Sequence, residues 1–116
     1  MTREKTIEQA YQLFNQRKVD QLLQLLTPDA HWPNGWEGGF VNGHKEIKDY
    51  WTRQWKEINP TVLSEKIFQL EDGRFEVLVK QIIKDMKGKV LLDGYVKHVY
   101  TFKEELVSAM EIEAAG

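Results

Sequence analysis

Apolar residues recur at Ile7, Ala10, Tyr11 and Phe14, a spacing of three and four that gathers them on one face of a helix. Thr6 with Gln9 three residues on supplies a capping-box start for it. A second helix is predicted from about Val19 to Leu26, because Leu22, Leu23, Leu25 and Leu26 are too apolar for a solvated face; Pro28 is its stop, and Arg17-Lys18 is the bend between the two. Between Ala30 and Gly43 short strand signals mix with glycines, which predicts two short strands joined by an irregular loop. A third helix opens near Asn42 or Gly43, carries Ile47, Trp51, Trp55 and Ile58 along one stripe, and ends at Asn59-Pro60.

From there the period changes from helical to alternating. Asp72-Gly73 and Lys87-Gly88 are tight-turn signals, and the runs around them predict strands near Val62–Leu70, Arg74–Asp85, Val90–Phe102 and Leu106–Ile112. Helices first and strands later argue an α+β architecture with the helices on one face of an antiparallel meander, and argue against a parallel βαβ design.

Alternation also assigns faces, since successive strand residues point opposite ways. Val90, Leu92, Val96, His98, Tyr100 and Phe102 share one face of the penultimate strand, and His98 is the strongly polar member of that set. On the preceding strand Phe75, Val77, Val79, Gln81 and Ile83 share a face that Gln81 interrupts. Burying an amide or an imidazole without a partner costs about 1–3 kcal/mol, so such interruptions usually have a hydrogen-bonding reason, structural or functional, and for Gln81 the structural one stands ahead. For His98 two readings stand open: a core histidine tied to a neighbouring group, or a pocket donor or acid/base whose charge changes near neutral pH.

Trp51 and Trp55 belong to the helical stripe and read as core. Trp32 and Trp36 lie in the glycine-rich segment, where no periodic face needs an indole, so a pocket wall competes with packing as their role. His31 should point away from Trp32, toward surface or rim.

Composition narrows the function classes. The 116 residues suit one domain spanning 1–116, and a net charge of -2 without any basic block argues against nucleic-acid or membrane-surface binding. With no cysteine there is no disulfide framework, thiolate metal site or cysteine nucleophile. His31, His44 and His98 lack zinc-helix spacing, and there is no phosphate loop or serine elbow, so neither a metal nor a cofactor is expected. No apolar leader or spanning run is legible, and the protein is expected to be cytoplasmic.

Three stretches carry a family resemblance: Leu25-Leu26-Thr27-Pro28-Asp29-Ala30-His31-Trp32; then Trp32 to Gly39 with Gly43-His44-Lys45-Glu46-Ile47 opening the third helix; and Val96-Lys97-His98-Val99-Tyr100-Thr101-Phe102. Together they resemble the nuclear transport factor 2-like superfamily, and within it the bacterial SnoaL-like proteins related to polyketide cyclases and steroid isomerases. The resemblance implies a cone-shaped, cystatin-like domain in which a curved antiparallel sheet is wrapped by three helices from the N-terminal half. A pocket between the sheet and the helices is implied too, as is a homodimer packed through the sheet. The base aspartate of the steroid-isomerase relatives falls on Trp32, so their proton-abstracting carboxylate is missing. Their oxyanion-binding aspartate falls on His98, and their first-helix tyrosine falls near Ala10, beside Tyr11. The final turn, Lys103-Glu104-Glu105, lacks the glycine those relatives often carry there.

Two functions of different class follow. One is a binding domain for a small, largely apolar molecule, lined by Trp32, Trp36, Gln81, Tyr11 and Tyr100. The other is an isomerase, cyclase, hydratase or hydrolase acting on an apolar oxygen-bearing substrate, with His98 as the candidate catalytic acid/base or oxyanion donor. A carboxylate within about 3 Å of His98 would favour the second. The outer sheet face, including Tyr95 and Val99, is the expected homodimer surface.

Overall fold

The first helix starts earlier than its apolar stripe. In the computed structural model, which describes residues 1–115, helix α1 runs Arg3–Asn15 and its N-cap is Thr2, whose Oγ1 accepts a hydrogen bond from the Lys5 amide at 3.1 Å. Thr6 is therefore no cap: it is buried one turn inside the helix and donates its hydroxyl to the Thr2 carbonyl at 3.2 Å. Arg3, Glu4 and Lys5 are good helix formers, so once Thr2 satisfies a free amide the helix extends back to it. At the other end Arg17 adopts φ 62°, and the Lys18 amide closes on the Leu13 carbonyl at 2.9 Å. That closure turns the chain into the short helix α2, Val19–Leu23.

The second helix ends before Leu26, which instead begins strand β1, Leu26–Pro33. Pro28 lies inside this strand and does not act as a helix stop. It sits where the pairing to the neighbouring strand shifts register between Leu26 and His31, a place where a missing N–H is tolerated. Strand β2, Phe40–Asn42, pairs antiparallel with β1, and helix α3, Gly43–Glu57, follows at once. Gly43 has φ 81°, which a side chain would strain.

Four long strands complete the chain: β3 Ile58–Gln69, β4 Phe75–Asp85, β5 Val90–Lys103 and β6 Leu106–Ala114. The sheet order is β2-β1-β6-β5-β4-β3. The expected antiparallel meander accounts for β3 to β6, whereas β1 joins β6 in parallel, so the sheet is mixed at that seam. Register shifts in β3, in β5 and between β5 and β6 curve it. One of them moves Val90 off the face predicted for it: Ile83 pairs with Leu92 but Lys84 with Val90, and the extra residue, Leu91, joins Leu92 in lining the concave side.

The core lies between the concave face and the helices. Ile7, Ala10 and Tyr11 of α1, Leu22 of α2 and Ile47, Tyr50 and Trp51 of α3 pack against Val77, Val79, Tyr100, Val107 and Met110. Among the described residues no helix is long and apolar enough to cross a membrane.

Candidate functional site

Strand parity brings His98 and Tyr100 to the concave face, and α1 lays Tyr11 over them. His98 is 7% exposed and Tyr100 2%. The Tyr100 hydroxyl donates to the Tyr11 oxygen at 2.8 Å, and the Tyr11 hydroxyl lies 2.8 Å from His98 Nδ1. With the Tyr100 hydroxyl donating to the Tyr11 oxygen, the Tyr11 hydrogen is directed at Nδ1, and in that arrangement the imidazole carries its proton on Nε2.

Electrostatics agree with a neutral ring. Burial lowers the His98 pKa to about 4, so the imidazole is uncharged at neutral pH. Burial likewise raises Tyr100, while the bond to Tyr11 pulls the other way, and Tyr11 is raised well above the phenol range, first by burial and then by its neighbour Tyr100. No carboxylate of the described residues hydrogen-bonds His98; the oxygen that orients it is the Tyr11 hydroxyl.

These groups line a cavity of about 780 Å³. Every residue singled out from sequence touches it: Tyr11, Trp32, Trp36, Gln81, His98 and Tyr100. Trp32 is buried, edge-on to both Trp51 and Tyr100, and forms an inner wall. Trp36 is 42% exposed and stands at the mouth. Gln81 is half-buried, and its amide has no hydrogen-bonding partner among the described residues. His31 is outside the cavity, its Nδ1 2.7 Å from Asn42 Oδ1, and His44 Nε2 donates to the Leu26 carbonyl at 3.1 Å.

The mouth is held by a small polar staple. Asn34 accepts from the Glu37 amide at 2.7 Å and donates to Glu37 Oε1 at 3.0 Å, closing the loop. Arg53 of α3 grips both Glu37 oxygens at 3.2 and 2.9 Å, and Trp36 Nε1 donates to Glu57 at 2.7 Å. Arg53, seconded by Asn34, holds the Glu37 carboxyl down to about 2.

Tyr50 and Gln54 also line the cavity and were not singled out from sequence. Gln54 donates Nε2 to the Tyr50 hydroxyl at 2.9 Å, while its Oε1 is buried without a partner. The readable signal was their spacing from Ile47, three and seven residues on, which sets them beside the aromatic stripe.

Residues 7–107 match the family model of the SnoaL-like domain, and the chain belongs to that family. No curated protein matches it in sequence. Its fold is that of the nuclear transport factor 2-like proteins. One such protein of unknown function from Burkholderia pseudomallei superposes with a TM-score of 0.84 at 20% identity, over 98% of this chain and 92% of that one. TerC, co-crystallized with polyporic acid, gives 0.82 at 20% identity over 95% and 88%. A Mycobacterium tuberculosis protein in complex with estradiol-17beta-hemisuccinate gives 0.79 at 12% identity over 92% and 88%.

Proposed function

We propose that the chain binds a small, largely apolar, oxygen-bearing molecule in this cavity, with His98 Nε2–H as the polar anchor. Tyr11 and Tyr100 spend their hydroxyls on the chain that orients the imidazole, so they meet the ligand with their rings. Trp32 forms the inner wall, Trp36 the mouth, and Gln81 a further polar contact. The observation that carries this reading is the Tyr100–Tyr11–His98 chain beside an apolar cavity: His98 lines a hollow of ligand size, and the chain engages one of its two ring nitrogens. Structural neighbours crystallised with polyporic acid and with estradiol-17beta-hemisuccinate support it.

Catalysis is the second reading. A preorganised neutral imidazole N–H is a group that stabilises an oxyanion, which favours an isomerase, cyclase or hydratase of an apolar oxygen-bearing substrate. Turnover also needs a proton acceptor. The glutamates at the rim, Glu111 and Glu113, share the register of Val99 and Lys97 on the opposite sheet face. Binding therefore ranks ahead of turnover.

Cytoplasmic residence and a homodimer on the convex face belong to the same proposal. That face exposes Leu63, Phe68 and Tyr95, the last by 51%. Val99, expected to join them, is only 2% exposed; its cross-strand neighbours Glu76 and Glu111 flank it on both sides.

The test is calorimetric titration of 2-naphthol into the native chain and into His98→Leu, with circular dichroism to check folding. Loss of one hydrogen bond to the ligand predicts about tenfold weaker binding in the variant. Equal affinity in the two folded proteins overturns the assignment.

A further inference from the structure

Large apolar side chains left in water gather at the mouth of the cavity. Trp36, Phe40, Leu91, Leu92 and Ile112 are exposed and all line it, so the rim itself is apolar. The patch continues past the rim onto the turn between β4 and β5. Val90, next to Leu91, is 50% exposed, and Met86, across the turn, is 62% exposed. Contiguous exposed apolar surface with polar groups at its border marks a place where something docks.

The turn is rigid and basic. Asp85 Oδ1 accepts from the Lys87 and Lys89 amides at 2.9 Å each, and the Asp85 amide donates to the Lys89 carbonyl at 2.8 Å. The one carboxylate of this stretch is therefore engaged by the turn's own backbone. Against it residues 84–89 carry Lys84, Lys87 and Lys89, all exposed and none in an ion pair among the described residues. The carboxylates nearby are engaged or turned elsewhere. Glu37 is held by Arg53, Glu57 accepts from Trp36 Nε1, and Glu113 is the cross-strand neighbour of Lys97. Asp93 pairs with Ile82, which puts it on the convex face. A net charge of -2 averages over the whole chain and hides this local grouping.

We propose that the β4–β5 turn docks on an anionic lipid surface, and that the apolar ligand enters the cavity from that surface. The lysines meet lipid phosphates and carboxylates, while Met86 and Val90 enter the boundary between headgroups and acyl chains. Leu91 and Leu92 follow at once on the cavity wall, so docking sets the mouth against the lipid. An apolar molecule concentrates in lipid rather than in water, which makes lipid the phase to collect it from. The entry route rests on the cavity reading above; the docking does not. A second copy of the chain fits this surface less well, because a symmetric contact through the turn brings like charges together.

The experiment is flotation with vesicles of phosphatidylcholine alone and of phosphatidylcholine with about a third phosphatidylserine. The proteins are the native chain, the triple variant Lys84→Gln, Lys87→Gln, Lys89→Gln, and the double variant Met86→Ser, Val90→Thr. Each is checked by thermal melting, light scattering and calorimetric titration of 2-naphthol. The native chain should float with the anionic vesicles, less so as salt is raised, and weakly with the neutral ones. Each variant should partition at least about tenfold less onto the anionic vesicles, while its 2-naphthol affinity changes by less than about twofold. If the native chain binds 2-naphthol but does not float, or floats no better than the variants, the docking surface is wrong and the His98 site stands. Loss of a dimer mass in the variants without loss of flotation makes the turn a contact between copies and also overturns the proposal. Flotation without 2-naphthol binding removes the cavity reading and the entry route together.

Discussion

The Tyr11 hydroxyl lies 2.8 Å from His98 Nδ1, across 87 positions of sequence, and this contact decides what the imidazole can do. A histidine held by a carboxylate is poised to take a proton. One held by a tyrosine that itself accepts from Tyr100 is held neutral, with its remaining N–H available as a donor.

Removing the middle of that chain should cost stability. Tyr11→Phe leaves His98 Nδ1 and the Tyr100 hydroxyl buried without their partner, which predicts a loss of about 1–3 kcal/mol in urea denaturation at pH 7. Since phenylalanine preserves the ring's packing, a loss below a few tenths would show that the three groups are not coupled.

Stability should also depend on pH in a defined direction. The folded pKa of His98, about 4, lies below its ordinary value of 6.5, so the unfolded chain binds the proton more readily. The contribution of a neutral His98 is complete above pH 6.5 and is lost as pH falls from 6.5 towards 4, by about 3 kcal/mol in all. Urea midpoints between pH 4 and 7.5 check this, with His98→Leu as the comparison that should flatten the slope in that window.

The mouth loop should respond to acid only much lower. Glu37 is ionised down to about 2, so its grip on Arg53 is present above its ordinary 4.5 and disappears as pH falls through about 2. Arg53→Ala should release Trp36, seen as altered tryptophan emission and faster ligand exchange. Little change in melting temperature should accompany it, because the pair is exposed and screened by solvent.

For the proposed homodimer, Phe68→Glu with Tyr95→Glu places charges on the convex face without touching the cavity. Light scattering at micromolar concentration should give a dimer mass for the native chain and a monomer mass for the double variant. A monomeric native chain contradicts the proposal.

Much of this was legible because strand parity is a strict signal. A period of two placed His98, Tyr100 and Gln81 on the concave side without any knowledge of the helices. It failed at Val90, since a bulge inserts Leu91 and reverses the facing of what precedes it. Boundaries between Leu22 and Pro28 failed for another reason: a run of leucines suits a buried helix and a buried strand equally, and pairing with Val107 settled it at Leu26. Tyr11 was placed in the pocket from its helix face and from the family resemblance, yet its partner was invisible, because a contact spanning half the fold has no local pattern.

The account stands on the protonation of one ring, and nitrogen-15 NMR of the histidines reads it directly. At pH 7 His98 should appear as a neutral imidazole with its proton on Nε2, and 2-naphthol should shift that nitrogen more than Nδ1. An imidazolium at pH 7, or a proton on Nδ1 with Nε2 indifferent to the ligand, would contradict it.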